Sequence, residues 1–172
     1  MIFEVVKFAK QKNVTVIFDP NVRKSLWGEA EARTTLIELS ALADVVLPGL
    51  EEGEFLFGTN DPERIGNMFL ENGAKKVILK SGKDGTYFFD KTSSDYIPAF
   101  KLEQVIDPVG AGDGFAAGYL SGKLDGLEDI ESIKRGNAVG ALVTQALGDV
   151  EGLPEKEEIQ EFIEQLNSDI TR

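Results

Sequence analysis

The sequence predicts an α/β fold built on a mostly parallel sheet, and three observations carry that expectation. Short branched apolar runs at residues 14–18, 45–47 and 77–80 alternate with longer segments of helical periodicity. An Asp-Pro pair, Asp19-Pro20, closes the first of these runs, where open α/β sheets place their ligands. A second pair, Asp107-Pro108, leads into a glycine run and then a helix of small residues, a strand-to-helix junction of the kind that binds anions.

The elements follow in chain order. Residues 1–12 place Ile2, Phe3, Val5, Val6 and Ala9 on one helical face, and the strand 14–18 comes next. Residues 29–43 repeat the helical period before the strand 45–47. Pro48 to Glu54 then concentrates Glu51, Glu52 and Glu54, which alone would suit the positive end of a helix. Residues 61–72 read as a helix with Asp-Pro as its start and Gly73 as its stop. The strand 77–80 turns at Ser81-Gly-Lys-Asp-Gly85 into the strand 86–90, and Tyr96 and Ile97 before Pro98 suggest a short edge strand. A strand at 104–106 precedes the glycines; beyond Lys123, small and branched residues predict a buried helix over 130–147. Ile159, Phe162, Ile163 and Leu166 give the last helix one apolar face. The whole, residues 1–172, reads as one domain.

Composition narrows the chemistry. With 30 acidic against 18 basic side chains, a formal net charge of -12 argues against nucleic-acid or anionic-membrane partners. Absence of cysteine and histidine removes thiolate chemistry, Cys-based zinc and the commonest catalytic base, so acid–base work falls to Asp, Glu, Lys or Tyr. The N-terminus carries Glu4 and Lys7 within its apolar stretch and is no signal peptide, and residues 136–148 are too short and polar to span a bilayer. A soluble, cytoplasmic protein is expected.

The junction itself points to phosphate. Amides at Gly110, Ala111 and Gly112 have no bulky side chain in front of them, and the following helix adds roughly half a positive charge. Asp113 in the same turn is suited to taking the proton of a hydroxyl that attacks the phosphate. Packing of a helix on a sheet also accounts for small residues here. A dinucleotide fingerprint fits Gly110, Gly112 and Ala116 but lacks the second strand and acidic residue it requires, and the pattern G-x-x-x-x-G-K-[ST] is absent.

Asp107-Pro-Val-Gly-Ala-Gly-Asp-Gly-Phe-Ala-Ala-Gly118 resembles the C-terminal signature of the ribokinase-like (PfkB) carbohydrate kinases. The resemblance implies a ribokinase-like three-layer sandwich, ATP and Mg2+ as cofactors, Gly110, Ala111 and Gly112 as the anion hole, and Asp113 as the catalytic base. Asp19-Pro-Asn-Val-Arg-Lys-Ser-Leu-Trp27 resembles a segment of ketodeoxygluconate kinases and fructokinases, which implies Asn21 near the nucleotide and Arg23 on substrate and phosphates. Arg23 suits this physically, since a guanidinium fork binds a carboxylate or phosphate with two parallel bonds; a solvated loop arginine is the alternative. Where the family carries Pro-Asn-x-x-Glu, this chain has Gly49 in place of the Asn and keeps Glu52, implied to help order magnesium. Lys80, Ser81, Gly82 and Gly85 are implied to line the ATP groove, although a hairpin turn explains these glycines too. Asn137 is implied beside the adenine, with a satisfied core amide as the alternative. Gly148-Asp-Val-Glu-Gly-Leu-Pro154 resembles the loop whose Asp touches substrate in ketodeoxygluconate kinases, which makes Asp149 a second substrate contact.

The resemblance implies that the chain corresponds only to the C-terminal half of such kinases, and the lid, the N-terminal strands and most sugar contacts are expected to be missing. Self-association, or a missing N-terminal half as partner, is therefore expected. The implied function is ATP-dependent phosphorylation of a sugar acid of the 2-keto-3-deoxygluconate type. Fructokinase, ribokinase and a non-catalytic nucleotide-binding fragment are the alternatives.

Overall fold

A computed structural model describes residues 1–170 except Lys24, Glu103 and Asp149, with side chains described as far as residue 164. Helices α1 (Ile2–Gln11), α2 (Glu29–Leu42), α3 (Leu50–Phe57) and α4 (Pro62–Glu71) alternate with strands β1 (Ile17–Phe18), β2 (Val45–Val46) and β3 (Lys76–Lys80). Strands β4 (Gly85–Asp90) and β5 (Ser94–Pro98) follow, then helices α5 (Ala111–Leu124), α6 (Asp129–Val143) and α7 (Lys156–Ile170). The strands form one sheet in the order β1-β2-β3-β4-β5, with β1, β2 and β3 parallel. Only residues 81–84 join β3 to its neighbour β4, a link short enough for an antiparallel pair alone. This is the expected mixed α/β sheet.

Two compact units make up the chain. Residues 1–81 and 87–96 form the first, and residues 82–86 with 97–172 the second. The first unit buries Leu36, Val46, Leu56, Ile65, Phe69, Val77, Leu79 and Phe89 in one cluster. Its parallel strands need helical crossovers, and α2 and the α3–α4 pair supply them. Asp61 caps α4, its carboxylate accepting the N–H groups of Glu63 and Arg64 before Pro62 opens the helix. Helix α1, by contrast, has no buried residue, and Ile2, Val5 and Phe8 of its apolar face stay exposed.

Asp44, just ahead of β2, fastens the opposite end of this unit. Its carboxylate accepts the Val16 N–H at 2.9 Å and pairs with Lys75 at 2.7 Å and Lys10 at 3.4 Å. Partial burial works to raise its pKa, but Lys75, the Val16 amide and Lys10 together hold it below the ordinary carboxylate value. A depressed folded pKa stabilises the fold above the unfolded value, and that contribution is lost as pH falls through the folded one. Asp44→Asn is therefore expected to lower stability by about 1–2 kcal/mol at neutral pH. Thermal melts should show this gap closing as pH falls below the ordinary carboxylate value of about 3.9.

The second unit is a close-packed helix pair. Helix α5 turns Gly114, Gly118 and Gly122 toward α6, where Cβ atoms would stand 2.8 Å from Val143 Cγ2, the Arg135 carbonyl and Ser132 Oγ respectively. Tyr119 is buried and donates to Asp129 at 3.1 Å. Burial, then the charge and hydrogen bond of Asp129, raise its pKa above the usual phenol value, so its hydroxyl stays protonated and structural.

Two expected elements differ. Residues 104–106 form no strand; instead the Ile106 and Asp107 amides both donate to the Thr144 carbonyl, at 2.8 and 3.1 Å. That contact satisfies the backbone without a ladder. Helix α6 ends at Val143 rather than at 147, because the Thr144 hydroxyl and amide both return to the Ala141 carbonyl and tighten the last turn.

Candidate functional site

In the second unit the glycine junction is shaped from its start by Asp107. One of its oxygens accepts the Val109 N–H at 3.0 Å, the Asx turn that Asp-Pro favours, while the other faces the Gly148 N–H at 3.5 Å. Gly110 then takes the left-handed conformation, φ 79 and ψ -11, as N-cap of α5. The first bond of the helix runs from the Gly114 N–H to the Gly110 carbonyl at 2.8 Å, and the Ala111 N–H returns to the Pro108 carbonyl at 3.3 Å. The amides of Gly112 and Asp113 are left in the first turn without an i−4 carbonyl, at the positive end of a 14-residue helix. Of the three expected cradle amides, Ala111 thus has a local acceptor; the Asp113 amide, absent from the expectation, lies in the same turn as that of Gly112.

Asp113 is exposed, and its carboxylate has no hydrogen bond or ion pair among the described residues. A free carboxylate beside unpaired helix-start amides can take a proton from a neighbouring hydroxyl while the amides hold an anion.

Gly82 and Gly85 also belong to this unit. Gly82, φ 55, has open space around a would-be Cβ, whereas Gly85, φ 128, is pressed against the backbone of Ile97, Pro98 and Ala99. Asn137 faces inward: its Oδ1 accepts the Thr86 hydroxyl at 2.7 Å, and its Nδ2 donates to the Pro98 carbonyl at 3.2 Å and the Ile97 carbonyl at 3.5 Å. Its donors are engaged within the fold, which is the core-amide arrangement. Asp149 lies outside the described residues.

The first unit gathers its candidates at the carboxyl ends of three parallel strands. Lys80, the last residue of β3, is a half-buried cation paired with the Asp19 carboxylate just past β1. The other Asp19 oxygen accepts the Asn21 N–H at 3.3 Å, and Asn21 adopts φ 40, a left-handed conformation that asparagine tolerates. Arg23 is exposed and has no ion-pair partner among the described residues. Glu52 reaches back to the Gly49 N–H at 2.7 Å and also accepts the Val22 N–H at 2.7 Å. Ser81 is half-buried at the end of the same strand. Asp19 was not among the expected site residues, although its place before Pro20 at a strand end was the available signal.

Magnesium finds no cluster of three or more Asp or Glu groups able to hold it among the described residues. No helix among the described residues is long and apolar enough to cross a membrane.

Comparison with known proteins places these features in a family. The model for "pfkB family carbohydrate kinase" matches residues 2–156. The 2-dehydro-3-deoxygluconokinase of Bacillus subtilis is 44% identical over 162 residues, covering 94% of this chain and 50% of that enzyme. Fructokinase-1 of Zea mays is 33% identical, over 92% of this chain and 52% of that protein. An E. coli protein assigned as a ribokinase II, solved with ATP and Mg2+, superposes with a TM-score of 0.86 at 30% identity, covering 95% of this chain and 53% of that one. The chain spans about half the length of the relatives it matches.

Proposed function

The chain belongs to the pfkB family of carbohydrate kinases, and from that membership we propose that it carries the ATP- and phosphate-handling half of a kinase for a sugar acid of the 2-dehydro-3-deoxygluconate type. The observation that carries this reading is the exposed Asp113 carboxylate in the first turn of α5, beside the amides of Gly112 and Asp113. In the reaction, Asp113 takes the proton of the acceptor hydroxyl as that oxygen bonds to the γ-phosphorus and the bond to the β–γ bridging oxygen breaks, leaving ADP. The first-turn amides stabilise negative charge on the phosphoryl oxygens. Magnesium, when bound with the nucleotide, neutralises phosphate charge. Asn21, Gly49, Lys80, Ser81, Gly82 and Gly85 are proposed nucleotide-side residues, with Arg23 and Asp149 on the acceptor. Asn137 supports the nucleotide side indirectly, by holding the carbonyls of Ile97 and Pro98.

Arg23 decides the acceptor class. A fork paired with a carboxylate gives an Arg23→Lys variant whose KM for the sugar acid rises about tenfold or more, with KM for ATP nearly unchanged. Steady-state kinetics with both substrates varied checks this; equal rises would make Arg23 a phosphate contact and favour a neutral sugar. A second reading is a chain that binds nucleotide without turnover, which would bind Mg-ATP by calorimetry and yield no ADP with any sugar.

A further inference from the structure

Glu52 is doubly bonded to backbone, and that sets it apart from the other acidic residues of its turn. Oε1 accepts the Val22 N–H and Oε2 the Gly49 N–H, each at 2.7 Å. Gly49 is the N-cap of α3, so the second bond is the reach-back of an N3 glutamate to its own helix start. The first bond has no such local purpose. It spans 30 positions and catches the loop midway between Asn21, with its left-handed backbone, and Arg23. Asp19 holds the near end of the same loop through the Asn21 amide and Lys80. Beyond Val22 the Leu26 N–H turns back to the Arg23 carbonyl at 3.0 Å.

We propose that Glu52 is a positioning residue: its carboxylate clamps the loop of residues 19–23 to the start of α3, so that Arg23 is presented to an anionic ligand in a fixed place. The consequence for Arg23 rests on the sugar-acid reading; the clamp does not. Charge-assisted bonds from two amides to one carboxylate are strong enough to order a short loop, and ordering it beforehand spares the ligand that entropy. Glutamine keeps the length but brings an NH2 group against one of the two N–H donors, so it cannot satisfy both. Aspartate is one methylene short of bridging them.

The test has two arms on the 172-residue chain. Amide hydrogen exchange read by NMR, without ligand, should show protection at Val22 and Gly49 falling about tenfold or more in Glu52→Gln, while the core strand β3 stays protected. Calorimetry with 2-dehydro-3-deoxygluconate in the absence of magnesium should show Glu52→Gln and Arg23→Ala each weakening binding, and the double variant weakening it no further than Arg23→Ala alone. Unchanged protection at Val22 would overturn the clamp. Additive losses in the double variant would overturn the positioning of Arg23 by Glu52. Loss of Val22 protection in a chain that binds no sugar acid upholds the clamp and removes the acceptor assignment instead.

Discussion

Asp113→Asn is expected to lower the turnover of phosphoryl transfer by about 100- to 10,000-fold, the span ascribed to a positioned general base, while changing the affinity for Mg-ATP little. The amide is nearly isosteric and cannot accept the hydroxyl proton. The helix-start amides of Gly112 and Asp113 remain, so anion binding survives. Coupled ADP-release kinetics with 2-dehydro-3-deoxygluconate as acceptor, beside calorimetry with Mg-ATP, separate the two effects. Turnover within a fewfold of wild type would remove Asp113 from the role of base.

The second large effect is structural. Gly85→Ala is expected to destabilise the second unit by about 3 kcal/mol or more, combining overpacking of about 1–3 kcal/mol with a comparable backbone strain. A Cβ there would overlap the Ile97 carbonyl and lie 2.8 Å from Ala99 N and 2.9 Å from Pro98 Cα, on a residue at φ 128. None of these is the yielding end of a side chain. The Ile97 and Pro98 carbonyls of that segment accept Asn137 Nδ2, so the displacement would reach the buried Thr86–Asn137 bond as well. Thermal melts should show Tm lower by about 6–12 °C. Gly82→Ala, in open space at φ 55, is the control, expected to cost only about 1 kcal/mol. Similar losses at both positions would show that backbone conformation, rather than the press of Ile97–Ala99, governs the turn.

The contrast between these two glycines marks where sequence reasoning ran well and where it stopped. Local signals were legible: Asp61-Pro62 opens α4 and Asp107-Pro108 shapes the bend before Gly110, whereas the small residues of α5, readable as packing of a helix on a sheet, face a neighbouring helix. Such features depend on residues within a turn of one another. The Val22–Glu52 bond joins positions 30 apart and the Thr86–Asn137 bond positions 51 apart, and neither separation leaves a periodic trace. For the same reason a strand was expected at 104–106: Gln104, Val105 and Ile106 read as extended, yet their neighbour is a helix end at Thr144. Glu52 was legible as an important acid and expected on magnesium; its two backbone bonds became visible only in the fold. Gly49 holds Glu52 through its N–H, and a Cβ there would meet only the Glu52 side chain, its nearest atom Oε2 at an ordinary 3.5 Å.

The central claim is that the start of α5 receives a nucleotide phosphate beside a free carboxylate. Chemical-shift mapping of the backbone amides during titration with Mg-ATP tests it most directly. Large, saturable shifts centred on Gly112 and Asp113, reduced little by Asp113→Asn, are the predicted result. Saturable binding that leaves the amides of residues 110–113 unmoved would contradict it.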